Sequence, residues 1–275
     1  MIEELYSIER QAMGNSYIHN MDARIKIIIV FSVIIAMVAY PYSKDIIIPG
    51  IFFYFFFLTL WILSKLSFFS YLKRILMILP FGIFIIIFQI FFKNRYYDIF
   101  TPIIDLPLDI HIYLESVEFA LILLVKFIVC ISFIVLLSST TTMQDMLTGA
   151  RRLGLPSEFA LITGLMIRYL FVFADIFEKV KNSFDTRCFN SFNRSLPYSY
   201  RLRTLAYTVG TIFIRSYEQG ERTYTSMLCR GYSKDSFLHV GKKKLKPGEI
   251  KFLSFSLMLV IVIPIVSYLF SGSVI

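Results

Sequence analysis

Charge is what this sequence lacks. Only 17% of its 275 residues are Asp, Glu, Lys or Arg, against about 25% in ordinary soluble domains. With 57% hydrophobic and 17% aromatic residues, the chain reads as an integral membrane protein before any segment is inspected. Cysteine is scarce and scattered: Cys130, Cys188 and Cys229 form no Cys-x-x-Cys pair, an odd count without metal-ligand spacing, so reduced thiols are expected. His19, His111 and His239 have no His or Cys three or four positions away, which leaves no metal site built by this chain alone. Nucleotide and hydrolase motifs are missing too, with no Gly-x-x-x-x-Gly-Lys-Ser/Thr and no Gly-x-Ser-x-Gly or His-Glu-x-x-His. No bound cofactor and no catalytic residue are therefore expected. The first 24 residues include Glu3, Glu4 and Glu9, unlike the basic start of a cleaved signal peptide.

Long apolar runs are what the chain has in abundance. A membrane-spanning helix needs roughly 17 to 25 mostly apolar residues, and five stretches meet or approach this: about 25–40, 46–63, 75–92, 119–137 and 250–270. Pro49, Pro80 and Pro264 lie in or beside them, where membrane helices tolerate proline. The loops alternate in charge. Loop 64–74 carries Lys65, Lys73 and Arg74 without an acid, loop 93–118 has a net charge of −3, and segment 138–249 holds 17 Lys and Arg against 9 Asp and Glu. Basic loops stay in the cytoplasm, so the amino terminus and segment 138–249 are expected inside, the acidic loop and the carboxyl terminus outside. The net charge of +9 then reflects topology, and no nucleic-acid partner is implied. Lys242-Lys-Lys-Leu-Lys246 reads as a topology determinant, with anionic-lipid contact as a secondary role. The spans are nearly charge-free: of charged and amide side chains only Lys126 and Gln89 sit well inside one, and no Asp or Glu does, whereas ion pathways use ionisable groups facing a cavity. Lys126 reads as a helix-packing residue.

Segment 138–249 predicts helices of a different kind. Thr142-Met-Gln-Asp145 resembles a capping box, and a short basic helix ends near Gly154. A helix over 157–186 would run about 45 Å. The stretch 190–197 breaks it, and another helix follows from about Tyr198 to Arg230, with apolar residues at steps of three and four and Gly231 as its stop. Phe159–Ala174 is apolar apart from Thr163 and Arg168, but Arg168 at the centre of a span would cost about 3 kcal/mol. A span here would also export the following basic loop. Both helices are therefore expected outside the bilayer, partly buried against membrane helices and each other. Arg187 and Arg230, 43 residues apart, each fall at the end of one of them. Cations at helix carboxyl ends can simply serve the dipole and the last carbonyls, at about 0.3–1 kcal/mol. Alternatively, two planar five-donor forks on paired rods would engage two copies of a partner.

Three motifs then carry a resemblance over most of the chain. They are Met21-Asp-Ala-Arg-Ile-Lys26, Leu153-Gly-Leu-Pro156 with Ile167-Arg-Tyr-Leu-Phe171, and Glu221-Arg-x-Tyr-x-x-Met-x-x-Arg-Gly-Tyr232. Together they resemble the transmembrane T component of energy-coupling factor transporters, most closely its cobalt/nickel type, the CbiQ family. The resemblance implies two Ala-Arg-x type coupling motifs that fit grooves on two ABC-type ATPase subunits. Carried over, these fall on Thr186-Arg187-Cys188 and Cys229-Arg230-Gly231, with both arginines matched and the small Ala replaced by Thr186 and Cys229. Cys188 stands where Gly or Ser is common. It further implies a small membrane substrate-binding protein as partner, ATP hydrolysed by the partner subunits and none by this chain, and cobalt or nickel as cargo.

The expected architecture is an all-α integral membrane protein, with about five transmembrane helices plus long amphipathic cytosolic coupling helices in a cell-membrane setting. It divides into 1–137 (amino-terminal segment and four spans), 138–249 (coupling helices) and 250–275 (last span). A stand-alone channel or secondary carrier is the rival reading, and needs intramembrane charges or interrupted helices. An intramembrane enzyme is a weaker rival without a paired-acid, His-rich or Ser/Lys constellation in the spans.

Overall fold

The structure, a computed structural model, describes residues 9, 11–90, 102–106, 110–189, 196–233 and 245–272. The middle of the acidic loop, residues 242–244 of the lysine run and the final three residues lie outside this set. Among the described residues the protein is all-α apart from one two-stranded hairpin. Its helices are α1 (Ala23–Ala39), α2 (Ile47–Leu63), α3 (Phe68–Ile90), α4 (Leu114–Thr140), α5 (Met143–Arg152), α6 (Ser157–Thr186), α7 (Tyr198–Cys229) and α8 (Pro247–Gly272). Among the described residues, four stretches are long and apolar enough to cross a membrane: Phe68–Gln89, Leu114–Thr140, Ser157–Thr186 and Pro247–Leu269. Both α1 and α2 have 17 residues, at the short end of the spanning range. The membrane protein expected from composition is the one observed. Helix α6 also meets the length and composition of a span, so the expectation that it lies outside the bilayer rests on charge and not on length.

Two compact units make up the chain, one formed by the residues up to Gly154 with those from Leu245 on, the other by Leu155–Ser233. In the first, α4 is the central helix and packs against α1, α2 and α3, while α8 packs against α1 and α2. The core is aromatic. Phe57 is fully buried, with ring centroids 4.9 Å from Tyr71, 5.7 Å from Trp61 and 5.9 Å from Phe133. Tyr71 shares a 2.8 Å hydrogen bond with the Ser132 hydroxyl, which satisfies its polar end inside apolar surroundings. The outward faces of α3 and α8 expose large apolar side chains such as Phe69, Met77, Phe81, Met258 and Tyr268, as surfaces meeting lipid do.

Local differences from the sequence expectations have physical causes. Helix α3 starts at Phe68 and not near 75, because Arg74 is no loop residue. Its guanidinium donates to the Ser139 hydroxyl at 2.6 Å and to the Gln11 side-chain oxygen at 2.8 Å. Helix α4 runs past 137 to Thr140, whose hydroxyl donates back to the Leu136 carbonyl at 2.9 Å. Inside the acidic loop, β1 (Pro102–Leu106) pairs antiparallel with β2 (Ile110–Tyr113), with Asp105 opposite His111. Helix α5 starts on the foreseen cap, with the Asp145 N–H donating to the Thr142 hydroxyl at 3.1 Å. It packs with the membrane helices: a Cβ on Gly149 would stand 3.0 Å from the Ala23 Cβ and 3.2 Å from the Arg24 nitrogen. A larger residue there would require those atoms to give by a few tenths of an ångström.

The second unit contains α6 and α7, which meet at a short Tyr169–Thr223 hydroxyl contact. Ala160 is the buried residue of α6, and α7 has none. Many further residues of α6 and several of α7 are half-buried. The foreseen Glu218–Arg222 pair forms at 3.8 Å on an exposed face.

Candidate functional site

Arg187 and Arg230 occupy identical backbone settings. Each is the residue immediately after its helix, following Thr186 in α6 and Cys229 in α7. After Arg187 the Cys188 N–H donates to the Asp185 carbonyl at 3.1 Å and the Phe189 N–H to the Phe184 carbonyl at 3.0 Å. After Arg230 the Gly231 N–H donates to the Leu228 carbonyl at 2.9 Å and the Tyr232 N–H to the Met227 carbonyl at 3.0 Å. This is the Schellman arrangement, which needs a left-handed residue one step past the cap; Cys188 supplies it at φ 55° and Gly231 at φ 81°. The usual apolar contact across such an ending is present at α6, where the Phe184 and Phe189 rings lie 5.2 Å apart.

The cap thus answers its carbonyls with backbone N–H groups and leaves the arginines unused. Thr186, Arg187, Cys188, Cys229, Arg230 and Gly231 are all exposed. Among the described residues, neither guanidinium takes part in a hydrogen bond or ion pair. The Thr186 hydroxyl donates to the Ser183 carbonyl at 3.0 Å, so it completes the last turn of α6 and does not engage Arg187.

A second polar assembly gathers at the amino-terminal end of α1, around a motif that sequence reasoning left without a role. Asp22 caps α1: its carboxylate accepts the Arg24 N–H at 3.1 Å and pairs with the Arg24 guanidinium at 3.1 Å. The Arg152 guanidinium, at the end of α5, reaches the same carboxylate at 3.3 Å. The Asp22 N–H donates to the Glu249 carboxylate at 3.2 Å, and the other oxygen of Glu249 accepts the Lys246 N–H at 2.9 Å. That last bond is the return half of a capping box at the start of α8. Lys26 donates to the Thr140 carbonyl at 2.8 Å and to the His19 carbonyl at 3.2 Å. Asp22, Lys26 and Glu249 are all buried. Burial alone would raise the Asp22 carboxyl, but the Arg24 hydrogen bonds and the Arg24 and Arg152 charges hold it below the usual carboxylate range. Burial and the Lys26 charge hold the His19 ring below its ordinary value. A polar cavity of about 270 Å³ opens here between residues 19–26 and 141–152. The sequence signals were an Asp before an apolar helix and a Glu two residues after Pro247, which mark caps but not their convergence.

Among the described residues, no group of three or more His, Cys, Asp or Glu side chains is placed to hold a metal ion. Lys126, inside a span, donates to the Tyr40 carbonyl at 2.7 Å and the Val38 carbonyl at 3.3 Å, with the Tyr42 ring 4.0 Å away.

Comparison with known proteins identifies the family. The profile of CbiQ, described as cobalt transport protein, matches residues 14–240. The chain belongs to the CbiQ family. That match covers both helix ends and, of the polar assembly, Asp22, Arg24, Lys26 and Arg152, and it marks this CbiQ protein as a component of membrane transport. Two relatives, both uncharacterized proteins of Methanocaldococcus jannaschii, are similar along nearly the whole length. One is 29% identical over 94% of this chain and 85% of its own, the other 26% identical over 95% and 92%.

Proposed function

We propose that this CbiQ protein is the transmembrane coupling subunit of an energy-coupling factor importer. It couples two ABC-type ATPase subunits to a small membrane substrate-binding protein that selects the cargo. One observation carries the reading: two helices of a membrane transport protein end in the same cap, and each presents an exposed arginine that the cap does not use. A planar fork of five donors suits bidentate pairing with a carboxylate in a partner groove. Two such ends provide for two ATPases. The flanking Thr186 and Cys188, and Cys229 and Gly231, form the rest of each docking tip.

In this reading α6 and α7 lie on the cytoplasmic side, supported by the basic excess of 138–249 and by Arg168 within α6. Closure of the ATPases on ATP pulls the two tips, and the rods carry that motion to the substrate-binding protein beside the spans. The chain itself is non-catalytic and binds no cofactor; ATP is hydrolysed by the partners. Divalent cobalt or nickel is the proposed cargo, as substrate of the assembled complex, and cobalt agrees with the family description. The stand-alone carrier reading has no support from Lys126, whose ammonium is committed to helix-end carbonyls. The test is purification of the tagged full-length chain from its native membrane in mild detergent. ATPase subunits should co-purify, and ATP hydrolysis should vanish when they are stripped away. A chain that purifies without them, or hydrolyses ATP alone, contradicts the proposal.

A further inference from the structure

The chain passes between its two units twice, leaving the membrane unit after Gly154 and returning ahead of Leu245. On the membrane-unit side, described residues flanking both crossings bond to one residue, Asp22. On the way out, Arg152 stands two residues before the exit and is held by the Asp22 carboxylate at 3.3 Å. On the way back, Leu245 packs against the cluster of Met21, Ile25 and Ile29. Four residues later Glu249 accepts the Asp22 N–H at 3.2 Å. Asp22 is itself the cap of α1 and is buried. Its side chain therefore grips one crossing and its main chain the other, within a single peptide unit that opens the first membrane helix. The close approach of Gly149 to Ala23 removes slack from the outgoing arm.

We infer that Asp22 is a positioning residue for coupling, a fulcrum for the membrane-unit residues that flank the two crossings, so that displacement of the 155–233 unit passes into α1 and α8. This rests on the coupling role proposed above and adds to it the route by which motion enters the membrane helices. If Arg152 and Glu249 served only as local caps of α5 and α8, cutting one arm would leave the other intact. If they meet at Asp22, cutting either should loosen both.

The test uses the full-length complex with its ATPases in lipid nanodiscs, and the variants Arg152→Gln, Glu249→Ala and their combination. Amide hydrogen exchange is read over 143–152, 23–30 and 247–253, with and without ATP. In the unaltered complex ATP should change exchange in 23–30 and 247–253. Either single variant should raise exchange in both 143–152 and 247–253 by about tenfold, the scale of one lost charge-assisted hydrogen bond. Either should also reduce the ATP response of 23–30 by a similar factor while the ATPases stay bound. The double variant should be no worse than the worse single one, as for residues acting as one unit. Exchange confined to each variant's own helix, losses that multiply in the double variant, or an absent or undiminished ATP response at 23–30 overturns the fulcrum. Failure of the ATPases to co-purify with the unaltered chain would instead overturn the coupling role beneath it.

Discussion

Arg187 and Arg230 share a cap but differ in the residue that closes it. Cys188 holds a left-handed φ of 55°, a region costing a residue with a side chain roughly 1–2 kcal/mol, whereas Gly231 at φ 81° occupies it without that cost. Cys188→Gly is therefore expected to steady the end of α6 by about 1 kcal/mol, and Gly231→Ala to weaken the end of α7 by a comparable amount. Amide exchange over 184–189 and 227–232 reads both effects, and no change in either variant would contradict the caps described. At this scale the arginines and Gly231 were legible, since glycine past a periodic helix is a strong stop signal. Cys188 was not. Its left-handed turn depends on Phe189 folding back onto Phe184, a contact that residue type alone does not announce. The Asp22 assembly was hidden for a similar reason, because its parts lie 130 and 227 positions apart in sequence.

Helices α1 and α4 run antiparallel, and each ties down the carboxyl end of the other. Lys26 of α1 donates to the Thr140 carbonyl that ends α4, and Lys126 of α4 donates to the Tyr40 carbonyl that follows α1. The last carbonyls of a helix have no partner within it, and in apolar surroundings they need one. Lys126→Met should therefore lower the unfolding temperature of the purified protein, by the equivalent of about 1–3 kcal/mol for carbonyls left unpaired. A proton relay at Lys126 would behave otherwise, with uptake lost and the unfolding temperature unchanged. At this scale the sequence was read most fully: α1, α2, α6 and α7 fall within about two residues of their foreseen bounds, because unbroken apolar runs and strong 3.6-residue periodicity leave little choice. The start of α3 was misjudged because Lys73 and Arg74 look like loop charge when their partners are unseen. The β1–β2 hairpin escaped notice because net charge dominated the reading of its loop.

On the scale of the whole molecule, the coupling role requires the two helix ends to face the cytoplasm. Cys188 and Cys229 are exposed in the structure, so their accessibility reports sidedness directly. In intact cells a cysteine replacing Asp105 should react with an impermeant thiol reagent, while the native pair should react only after permeabilisation. Ready labelling of Cys188 and Cys229 from outside would reverse the topology. The central claim is that Arg187 and Arg230 dock two motor subunits, and the most direct measurement is ATPase association and cargo uptake across a matched series at these positions. Arg→Lys keeps the charge near the helix dipole but loses the planar fork, so it should be nearly silent if the arginines serve only their helix ends and intermediate if they dock. Alanine leaves the partner's groups unpaired, at about 2–5 kcal/mol for each buried pair. The Arg187→Ala/Arg230→Ala double variant should insert and fold normally, yet lose ATPase association and uptake more severely than either single change. Normal assembly and normal uptake in that double variant would contradict the account.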